Sequence, residues 1–264
     1  MLNSQDIRNA SDLIWRHWQE GTRLPALPPN LLPATREEGY AIQALFEGRG
    51  VGDLFGWKIA ATSEAGQKHI NVDGPLGGRL LGERVYRDGA TLPFGGNAMR
   101  VAEPEFAFRL GRDLPPTGRP YSVEEALEAV DALHPAIEVP DSRFEDFTLV
   151  GAAQLVADNA CAHQFVLGPP APESWRAMDL VQHTATIAID GGASHDGVGA
   201  NVLGDPRVAL AWLINEVSGL GITLRDGQVI TTGTCATPIP IAPGDHVRAD
   251  FGELGRVSLA FAGE

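Results

Sequence analysis

The stretch RVAEPEFAFRL, residues 100–110, decides the fold predicted for this chain, because its apolar residues predict a strand. Side chains alternate between the two faces of a strand, so Glu103 and Glu105 would point to the same side. Two carboxylates about 7 Å apart repel each other, and a cation between them would remove that cost. A solvent-exposed acidic face is the alternative interpretation. Pro104 has no N–H to donate between strands, which predicts a bulge or a sheet edge here.

A third acid, Glu138, lies inside the short apolar segment PAIEV. An isolated carboxylate in such a segment is costly to bury unless it is paired or bound to a metal. Together with Glu103 and Glu105 it would form a site of hard oxygen ligands, which suits Mg²⁺ or Mn²⁺. An ion pair between Glu138 and either Arg143 or Arg100 is the structural alternative.

A lysine stands in the apolar stretch GWKIAAT, residues 56–62. If Lys58 is buried, the loss of solvent would lower its pKa and make it a proton donor or base near neutral pH. The alternative is a lysine that extends from a strand edge into solvent.

Polar residues also follow the apolar run LVA at residues 155–157. Asp158 and Asn159 would either line a pocket or cap a turn. Cys161 is interpreted as a small buried thiol, because no histidine stands in a context that would make it a nucleophile. The adjacent residues Ser-His-Asp at 194–196 predict a glycine-rich turn, since catalytic triads are assembled in space and not by adjacency.

The first 54 residues predict a small helical N-terminal subdomain, with an amphipathic helix, a proline-rich connector and a second helix that begins at Thr35. Residues 55–264 change to short apolar runs separated by glycine and proline, and predict a mixed-β catalytic domain. The predicted strands are 101–110, 178–190, 229–232, 246–251 and 256–261, and the predicted helices after the first two are 122–133 and 205–219. Because the elements do not alternate regularly, the pattern predicts an α+β fold.

Composition excludes several classes of function. The chain has 264 residues, 44% of them hydrophobic, and a formal net charge of −14 without any lysine- or arginine-rich block, which disfavours a nucleic-acid partner. No run of apolar residues is long enough to span a membrane, and the first residues do not resemble a signal peptide. Two cysteines without motif spacing indicate a reducing compartment, so we expect a cytoplasmic protein.

Several segments, in the same order over nearly the whole chain, are similar to a known group of enzymes. The segments are YAIQ at 40–43, GWKI at 56–59, EPE at 103–105 followed by GRDLP at 111–115, PAIEV at 135–139, DSR at 141–143, VADNA at 156–160, TG at 232–233 and PGD at 243–245. With these segments the chain resembles the 2-keto-4-pentenoate hydratase and 4-oxalocrotonate decarboxylase group of the fumarylacetoacetate hydrolase superfamily.

The resemblance implies a mixed β-sheet core, a Mg²⁺ or Mn²⁺ cofactor and a homo-oligomer, which a partner enzyme of the same pathway could bind. The substrate would be a small 2-oxo or 2-hydroxydienoic acid from the breakdown of aromatic compounds. The assignments that it implies are metal ligation by Glu103, Glu105 and Glu138, catalysis by Lys58 and Asp158, with Asp158 positioning water, and substrate binding by Gln43, Thr62, Asn159 and Cys161.

Two positions depart from the pattern of the hydratases. Leu76 takes the place where they commonly carry an aspartate and where the decarboxylases tend to be apolar, and Cys161 replaces a frequent serine. We therefore expect a hydro-lyase that adds water to a 2-hydroxy-2,4-dienoate, with decarboxylation of a 2-oxo acid as the alternative. Hydrolysis of a C–C bond would need a histidine that none of the seven clearly supplies. A non-catalytic protein that binds a 2-oxo acid is the competing class.

Overall fold

The computed structural model describes residues 1–263, which form six α-helices and thirteen β-strands. The helices are α1 (Ser4–Glu20), α2 (Arg36–Ala44), α3 (Glu64–His69), α4 (Val123–Glu128), α5 (Ala152–Ala157) and α6 (Pro206–Gly219). The strands are β1 (Leu54–Ala60), β2 (Leu76–Leu81), β3 (Val85–Arg87), β4 (Ala90–Leu92), β5 (Val101–Leu110), β6 (Val130–Val139), β7 (Gln164–Leu167), β8 (Thr184–Ile189), β9 (Ser194–Val198), β10 (Val229–Thr234), β11 (Ile239–Pro240), β12 (His246–Asp250) and β13 (Arg256–Phe261). No helix in this part of the chain is long and apolar enough to cross a membrane.

Two mixed sheets build the molecule. The larger has the order β2-β1-β10-β5-β6-β7-β3, with β11 paired to β5, and the smaller has the order β4-β13-β12-β8-β9. The main hydrophobic core lies between one face of the larger sheet, the smaller sheet and the helices α4 and α6. The opposite face of the larger sheet carries Lys58, Glu103, Glu105 and Glu138, because these residues alternate with core residues along β1, β5 and β6.

The strand predicted around the two glutamates is confirmed over residues 101–110, but it is not an edge strand. Pro104 lies in the middle of the larger sheet, between β10 and β6. The missing N–H is tolerated because the β10 register shifts between Thr231 and Thr234, which is a bulge in the neighbouring strand. The carbonyl of Pro104 still accepts a hydrogen bond of 3.0 Å from the N–H of Cys235.

Local capping signals locate the helix starts but not their ends. Ser122 and Glu125 form the expected reciprocal capping box. The predicted helix over 122–133 is too long, however, because α4 ends at Glu128 and β6 begins at Val130. The strand predicted from residue 178 begins only at Thr184. The Ser-His-Asp segment at 194–196 forms part of β9 and not a turn. Sheet pairing overrides local preference at these three places.

The N-terminal helices have a hydrophobic core of their own, which they share with later parts of the chain. Ile14 and Trp18 of α1 pack with Phe46, and the same cluster includes Leu81 and Phe144 from beyond residue 54. The start of β1 at Leu54 agrees with the predicted change in secondary structure. The division into two domains at that residue stays a prediction.

Candidate metal centre and active site

Three glutamates converge because of the pairing between β5 and β6. Glu103 and Glu138 are direct partners in the ladder, and Glu105 follows Glu103 on the same face. One carboxylate oxygen from each residue lies within 4.8 Å of the other two. Glu105 and Glu138 are fully buried, whereas Glu103 is partly exposed and lines a cavity. The arrangement is a compact cluster of oxygen donors with one side facing open space.

The β10 bulge holds Glu105 in place. Its Oε2 accepts hydrogen bonds from the hydroxyl of Thr231 and, at 3.0 Å, from the N–H of Gly233. Gly233 has φ +84°, and a Cβ there would lie 2.5 Å from Oγ1 of Thr62 and 2.8 Å from the carbonyl of Ile59. Only glycine fits this position, and the strained turn directs its N–H at the carboxylate.

The remaining carboxylate oxygens fit a cation. Oε1 of Glu105 and Oε1 of Glu138 accept no hydrogen bond from any residue among 1–263. Burial followed by the charge of Glu138 raises the pKa of Glu103 to about 7, and the same two causes hold the pKa of Glu105 well above its usual range. Burial also raises the pKa of Glu138 against the opposing charge of Lys58. Buried, unpartnered carboxylate oxygens of this kind are the donors that Mg²⁺ and Mn²⁺ prefer, so the residues present could bind a divalent metal.

Lys58 is buried beside this cluster and not extended into solvent. Its Nζ lies 3.1 Å from Oε2 of Glu138 and donates a 3.0 Å hydrogen bond to the carbonyl of Ala160. Burial lowers the pKa of Lys58, but the charges of Glu138, Glu103 and Glu105 raise it by more, and the net change is upward. The expectation that burial lowers the pKa of Lys58 is therefore wrong. The side chain is an ammonium group.

The carbonyl that receives Lys58 belongs to a left-handed turn. Asn159, Ala160 and Cys161 have φ values of 57°, 49° and 61°, which for residues other than glycine cost about 1–2 kcal/mol each. Arg143 supports the turn: it is fully buried and forms an ion pair with Asp158. Its guanidinium also donates hydrogen bonds to the carbonyls of Asp158, of Ala162 at 3.1 Å and of Asp141 at 2.7 Å. Interactions on both sides of the turn thus offset its strain.

Three of the predicted site residues bind other parts of the protein and do not line the cavity. The Asp158 carboxylate is occupied by Arg143 and by the hydroxyl of Ser142 at 2.7 Å, so the structure does not favour its positioning of water. Asn159 pairs with the backbone N–H and carbonyl of Arg79 at 2.7 and 2.9 Å. Gln43 donates to two backbone carbonyls, 3.0 and 2.8 Å away. The polar atoms of these residues thus bind other parts of the protein, and their predicted roles toward substrate and water stay predictions.

Lys58, Thr62, Glu103 and Cys161 do line one cavity of about 610 Å³. Burial raises the pKa of Cys161 to about 12, which agrees with an inert thiol and not with a nucleophile. The other walls are largely apolar; they include Ile70, Leu76, Met99, Phe147 and Leu155.

Two backbone groups that contact the site residues were not predicted from the sequence. Gly233 in the bulge donates a backbone hydrogen bond to the carboxylate of Glu105. The sequence feature that could have indicated it is a glycine between threonines in a predicted strand, ITTGT at 230–234. The carbonyl of Ala160 could not be predicted from a sequence pattern, because every residue carries a backbone carbonyl. Arg143 was considered as a partner of Glu138, but it pairs with Asp158, and Lys58 takes the place beside Glu138.

Comparisons with known proteins agree with this geometry. Residues 84–261 match the family model described as fumarylacetoacetate (FAA) hydrolase C-terminal. The chain is 31% identical over 263 residues to a 2-keto-4-pentenoate hydratase of Paraburkholderia xenovorans, covering 98% of this chain and 96% of that protein. It is 36% identical over 208 residues to a 2-keto-4-pentenoate hydratase of Burkholderia vietnamiensis, covering 79% and 78%.

A solved structure extends the similarity to the whole fold. The 4-oxalocrotonate decarboxylase from Pseudomonas putida G7, complexed with magnesium and adipate, superposes with a TM-score of 0.89 at 25% identity and covers 99% of both chains. The α+β architecture with a mixed-sheet core is thereby confirmed as the fold of these enzymes. On the family match, the full-length relatives and this superposition, the chain belongs to the fumarylacetoacetate hydrolase family, in the group of the 2-keto-4-pentenoate hydratases and 4-oxalocrotonate decarboxylase.

Proposed function

We propose that this protein is a metal-dependent hydro-lyase that adds water to a 2-hydroxy-2,4-dienoate formed in the breakdown of aromatic compounds. The observation that carries the proposal is the cluster of Glu103, Glu105 and Glu138 beside the buried ammonium group of Lys58, with one side open to a cavity. The similarity to hydratases over nearly the full chain supports the reaction type.

In this proposal the three glutamates hold Mg²⁺, or Mn²⁺, and leave positions for a 2-oxo acid to bind through its carboxylate and its 2-oxygen. The bound cation would stabilise negative charge that develops on that oxygen. Magnesium is supported by the donor set and by the metal in the decarboxylase structure. The carboxylates lie on strands, a rigid support for such a site.

Lys58 would supply the proton. An ammonium group has three N–H donors, and among residues 1–263 two of them face Ala160 and Glu138, which leaves one for the cavity. Proton transfer to the far carbon of the dienol gives an α,β-unsaturated 2-oxo acid, and water then adds to the β carbon of that conjugated system. The other role open to the same N–H is to hold the substrate carboxylate.

Thr62 and Cys161 would contact the substrate, since both line the cavity near Lys58. Thr62 is 4% exposed and Cys161 is 7% exposed, so a ligand would complete their burial. Their short side chains leave the space next to the glutamates free for a chelating acid.

Decarboxylation of a 2-oxo acid is the second candidate. Leu76 is fully buried in the cavity wall, at the place where hydratases of this group commonly carry an aspartate. The superposition with the decarboxylase over the whole chain favours the same reaction. In this reaction the 2-oxo group beside the cation would accept the electron pair that is released with CO₂.

Two substrates in parallel test the proposal. The protein is incubated with Mg²⁺ and either 2-hydroxypenta-2,4-dienoate or 4-oxalocrotonate, with Glu105→Gln as the inactive control. Loss of the dienoate absorbance without CO₂ identifies the hydratase, whereas CO₂ from the second substrate identifies the decarboxylase. If neither is consumed although 2-oxo acids bind, the protein is a non-catalytic binding protein.

We also propose a cytoplasmic homo-oligomer, which a partner enzyme of the same pathway could bind. Two buried, unpaired cysteines agree with a reducing compartment. Phe55, Val85 and Leu167 remain partly exposed next to buried apolar residues of the larger sheet, a patch that a second copy could cover. Light scattering after size exclusion would report the number of subunits.

A further inference from the structure

Helix α3 forms one wall of the cavity and carries a histidine there. The helix follows β1, the strand that carries Lys58, and it is capped by Ser63, whose hydroxyl accepts a 3.0 Å hydrogen bond from the N–H of Gly66. Ser63, Gly66 and His69 stand three residues apart, so they lie on one face of the helix, and all three line the cavity. Lys58 and His69 therefore reach the same space, one from the sheet and the other from the helix.

Among the histidines of residues 1–263, His69 combines unoccupied ring nitrogens with a place in the cavity. Five of the seven histidines have a ring nitrogen within hydrogen-bond distance of another residue; they are His17, His134, His163, His183 and His195. Within the described residues only His69 and His246 lack such a bond, and of these two only His69 lines the cavity. Both ring nitrogens of His69 are thus available to a ligand or to water.

Phe147 holds the imidazole of His69 without occupying its nitrogens. The two ring centres lie 6.1 Å apart with an angle of 72° between the ring planes, which is an edge-to-face contact. Phe147 is partly buried in the cavity wall, whereas His69 is exposed. The contact limits rotation of the imidazole, and its exposure gives water access to the nitrogens.

Hydration requires a group that takes a proton from the water that adds to the substrate. Among residues 1–263 the titratable side chains that line the cavity are Lys58, His69, Glu103 and Cys161. Lys58 is an ammonium group with no site for a further proton, and Glu103 binds the cation in the proposed function. The thiol of Cys161, with a pKa of about 12, does not ionise near neutral pH. His69 is left as an unoccupied proton acceptor, and imidazole is the side chain that most often moves protons near neutral pH.

We propose that His69 is a catalytic residue that accepts the proton of the water molecule added to the substrate. The inference rests on the proposed function, because it takes the substrate to be chelated beside Glu103. A spherical cavity of about 610 Å³ would be about 10 Å across. A five-carbon chain is about 5 Å long and a hydrogen-bonded water molecule adds about 3 Å. The substrate and one water molecule therefore span most of the distance from Glu103 to the opposite side of the cavity.

Two proton transfers at His69 complete the reaction without a further reactant. The water oxygen forms a bond to C4, the β carbon of the unsaturated 2-oxo acid, while His69 takes the proton of that water. The electron pair of the C3–C4 double bond shifts toward the 2-oxygen, which gives an enolate. The imidazolium of His69 then returns the proton to C3. The product is the 4-hydroxy-2-oxo acid, and His69 is neutral again.

Supplying the unsaturated acid itself isolates this step from the earlier proton transfer by Lys58. With Mg²⁺ and 2-oxopent-3-enoate, His69→Gln should hydrate at least about 100-fold more slowly than the unchanged protein, because the amide accepts no proton. With 2-hydroxypenta-2,4-dienoate the same variant should consume the dienol within about twofold of the normal rate and accumulate 2-oxopent-3-enoate. Lys58→Met should show the reverse pattern, slow on the dienol and near normal on the unsaturated acid.

Lys68→Gln is the matched control, since Lys68 is an exposed neighbour on the same helix and does not line the cavity. Both of its rates should stay within about twofold of those of the unchanged protein. If His69→Gln hydrates 2-oxopent-3-enoate as fast as this control, His69 does not accept the proton. If only Lys58→Met is slow on that substrate, Lys58 accepts the proton instead. Either result overturns the inference.

Chemical rescue distinguishes catalysis from a packing role of His69 against Phe147. His69→Ala removes the ring from an exposed position that free imidazole in solution can reach. Added imidazole should raise the hydration rate of His69→Ala by at least about tenfold and leave the rate of Lys68→Gln unchanged. If the rate of His69→Ala is low and does not respond to imidazole, the ring has only a packing role and the inference is wrong.

The activity of the unchanged protein separates this inference from the proposed function. If the unchanged protein hydrates the dienoate and the His69 variants do so equally well, the inference is wrong and the function stands. If the unchanged protein hydrates neither the dienoate nor the unsaturated acid, the proposed function is wrong and the inference falls with it.

Discussion

At the scale of single residues, the buried carboxylate of Glu105 links metal binding to stability. Its pKa is raised well above the usual range, so the metal-free protein holds it at a cost in free energy. We expect Glu105→Gln to raise the melting temperature of the metal-free protein and to abolish the further rise on addition of Mg²⁺, because the amide carries no charge. Thermal melts with and without Mg²⁺ measure both effects. Glu253→Gln, at an exposed position, is the control; an unchanged Mg²⁺ response in Glu105→Gln would show that the metal binds elsewhere.

Lys58 allows metal binding and turnover to be separated. Lys58→Met removes the proton donor but also the cation that competes with the metal for Glu138. We expect kcat to fall by about 100-fold to 10,000-fold, the usual contribution of a general acid, while Mg²⁺ binds at least as tightly as before. Calorimetry and steady-state kinetics give the two values. If the variant loses binding of 2-oxo acids and not turnover, the role of Lys58 in proton transfer is excluded.

The residues of the glutamate cluster could be predicted from sequence, but their electrostatics could not. Glu138 was predicted as a site residue because it is an isolated acid in an apolar segment. The alternation of side chains along a strand placed Glu103 and Glu105 on the same face. The pKa of Lys58 was expected to fall, since burial was the only cause visible in its own segment. Its rise depends on Glu138, a partner brought close by sheet pairing between distant parts of the chain.

At the scale of secondary-structure elements, the left-handed turn at 159–161 depends on Gly78 of β2. A Cβ on Gly78 would lie 2.3 Å from the carbonyl oxygen of Asn159. Gly78→Ala must therefore move the turn away from β2, and with it the carbonyl that receives Lys58. We expect a loss of about 1–3 kcal/mol in the free energy of unfolding and a lower kcat. Denaturant unfolding and kinetics measure the two effects.

The control for this change is Gly48→Ala, since a Cβ at Gly48 meets no atom within 4 Å. It should leave kcat unchanged. If Gly78→Ala behaves like this control, the turn is not held against β2 in the way that the structure indicates.

Elements marked by capping residues were predictable, and those set by sheet pairing were not. The capping residue Ser122 predicted the start of α4, but the end of that helix depends on the pairing of Val130 with Leu110. Asp158 and Asn159 were expected either to line a pocket or to cap a turn, and the sequence alone could not decide between the two. Their contacts with Arg143 and with the backbone of Arg79 come from distant parts of the chain and show that both residues hold the strained turn in place.

At the scale of the whole molecule, the N-terminal helices contact residues that support the candidate site. Trp18 of α1 donates a 2.9 Å hydrogen bond to Nδ1 of His163, just before β7. The guanidinium of Arg143, which supports the left-handed turn, lies 4.4 Å from the centre of the Trp18 ring. The periodicity of apolar residues predicted α1, but it could not predict these contacts, because they join residues that are far apart in the sequence. The helical segment thus contributes to the support of the site.

His163 makes this contact sensitive to pH. Burial, followed by the charges of Arg84, Arg143 and Arg23, lowers the pKa of His163 well below its ordinary value. The folded protein keeps the ring neutral, while the unfolded chain takes up a proton below about pH 6.5. The unfolded state then binds more protons, so stability from this group is present above pH 6.5 and is lost as the pH falls.

We expect His163→Asn to flatten this dependence, because the amide oxygen can accept the hydrogen bond from Trp18 and does not titrate. The free energy of unfolding should fall less between pH 7.5 and pH 5.5 in the variant, by about 1.4 kcal/mol, which is one proton taken up over about one pH unit. Urea unfolding at the two pH values measures the difference. His246→Asn, which removes an exposed histidine, should leave the dependence as it is. Equal slopes in His163→Asn and the unchanged protein would mean that His163 is protonated in the folded state, and that the contact between α1 and β7 is not the acid-sensitive link.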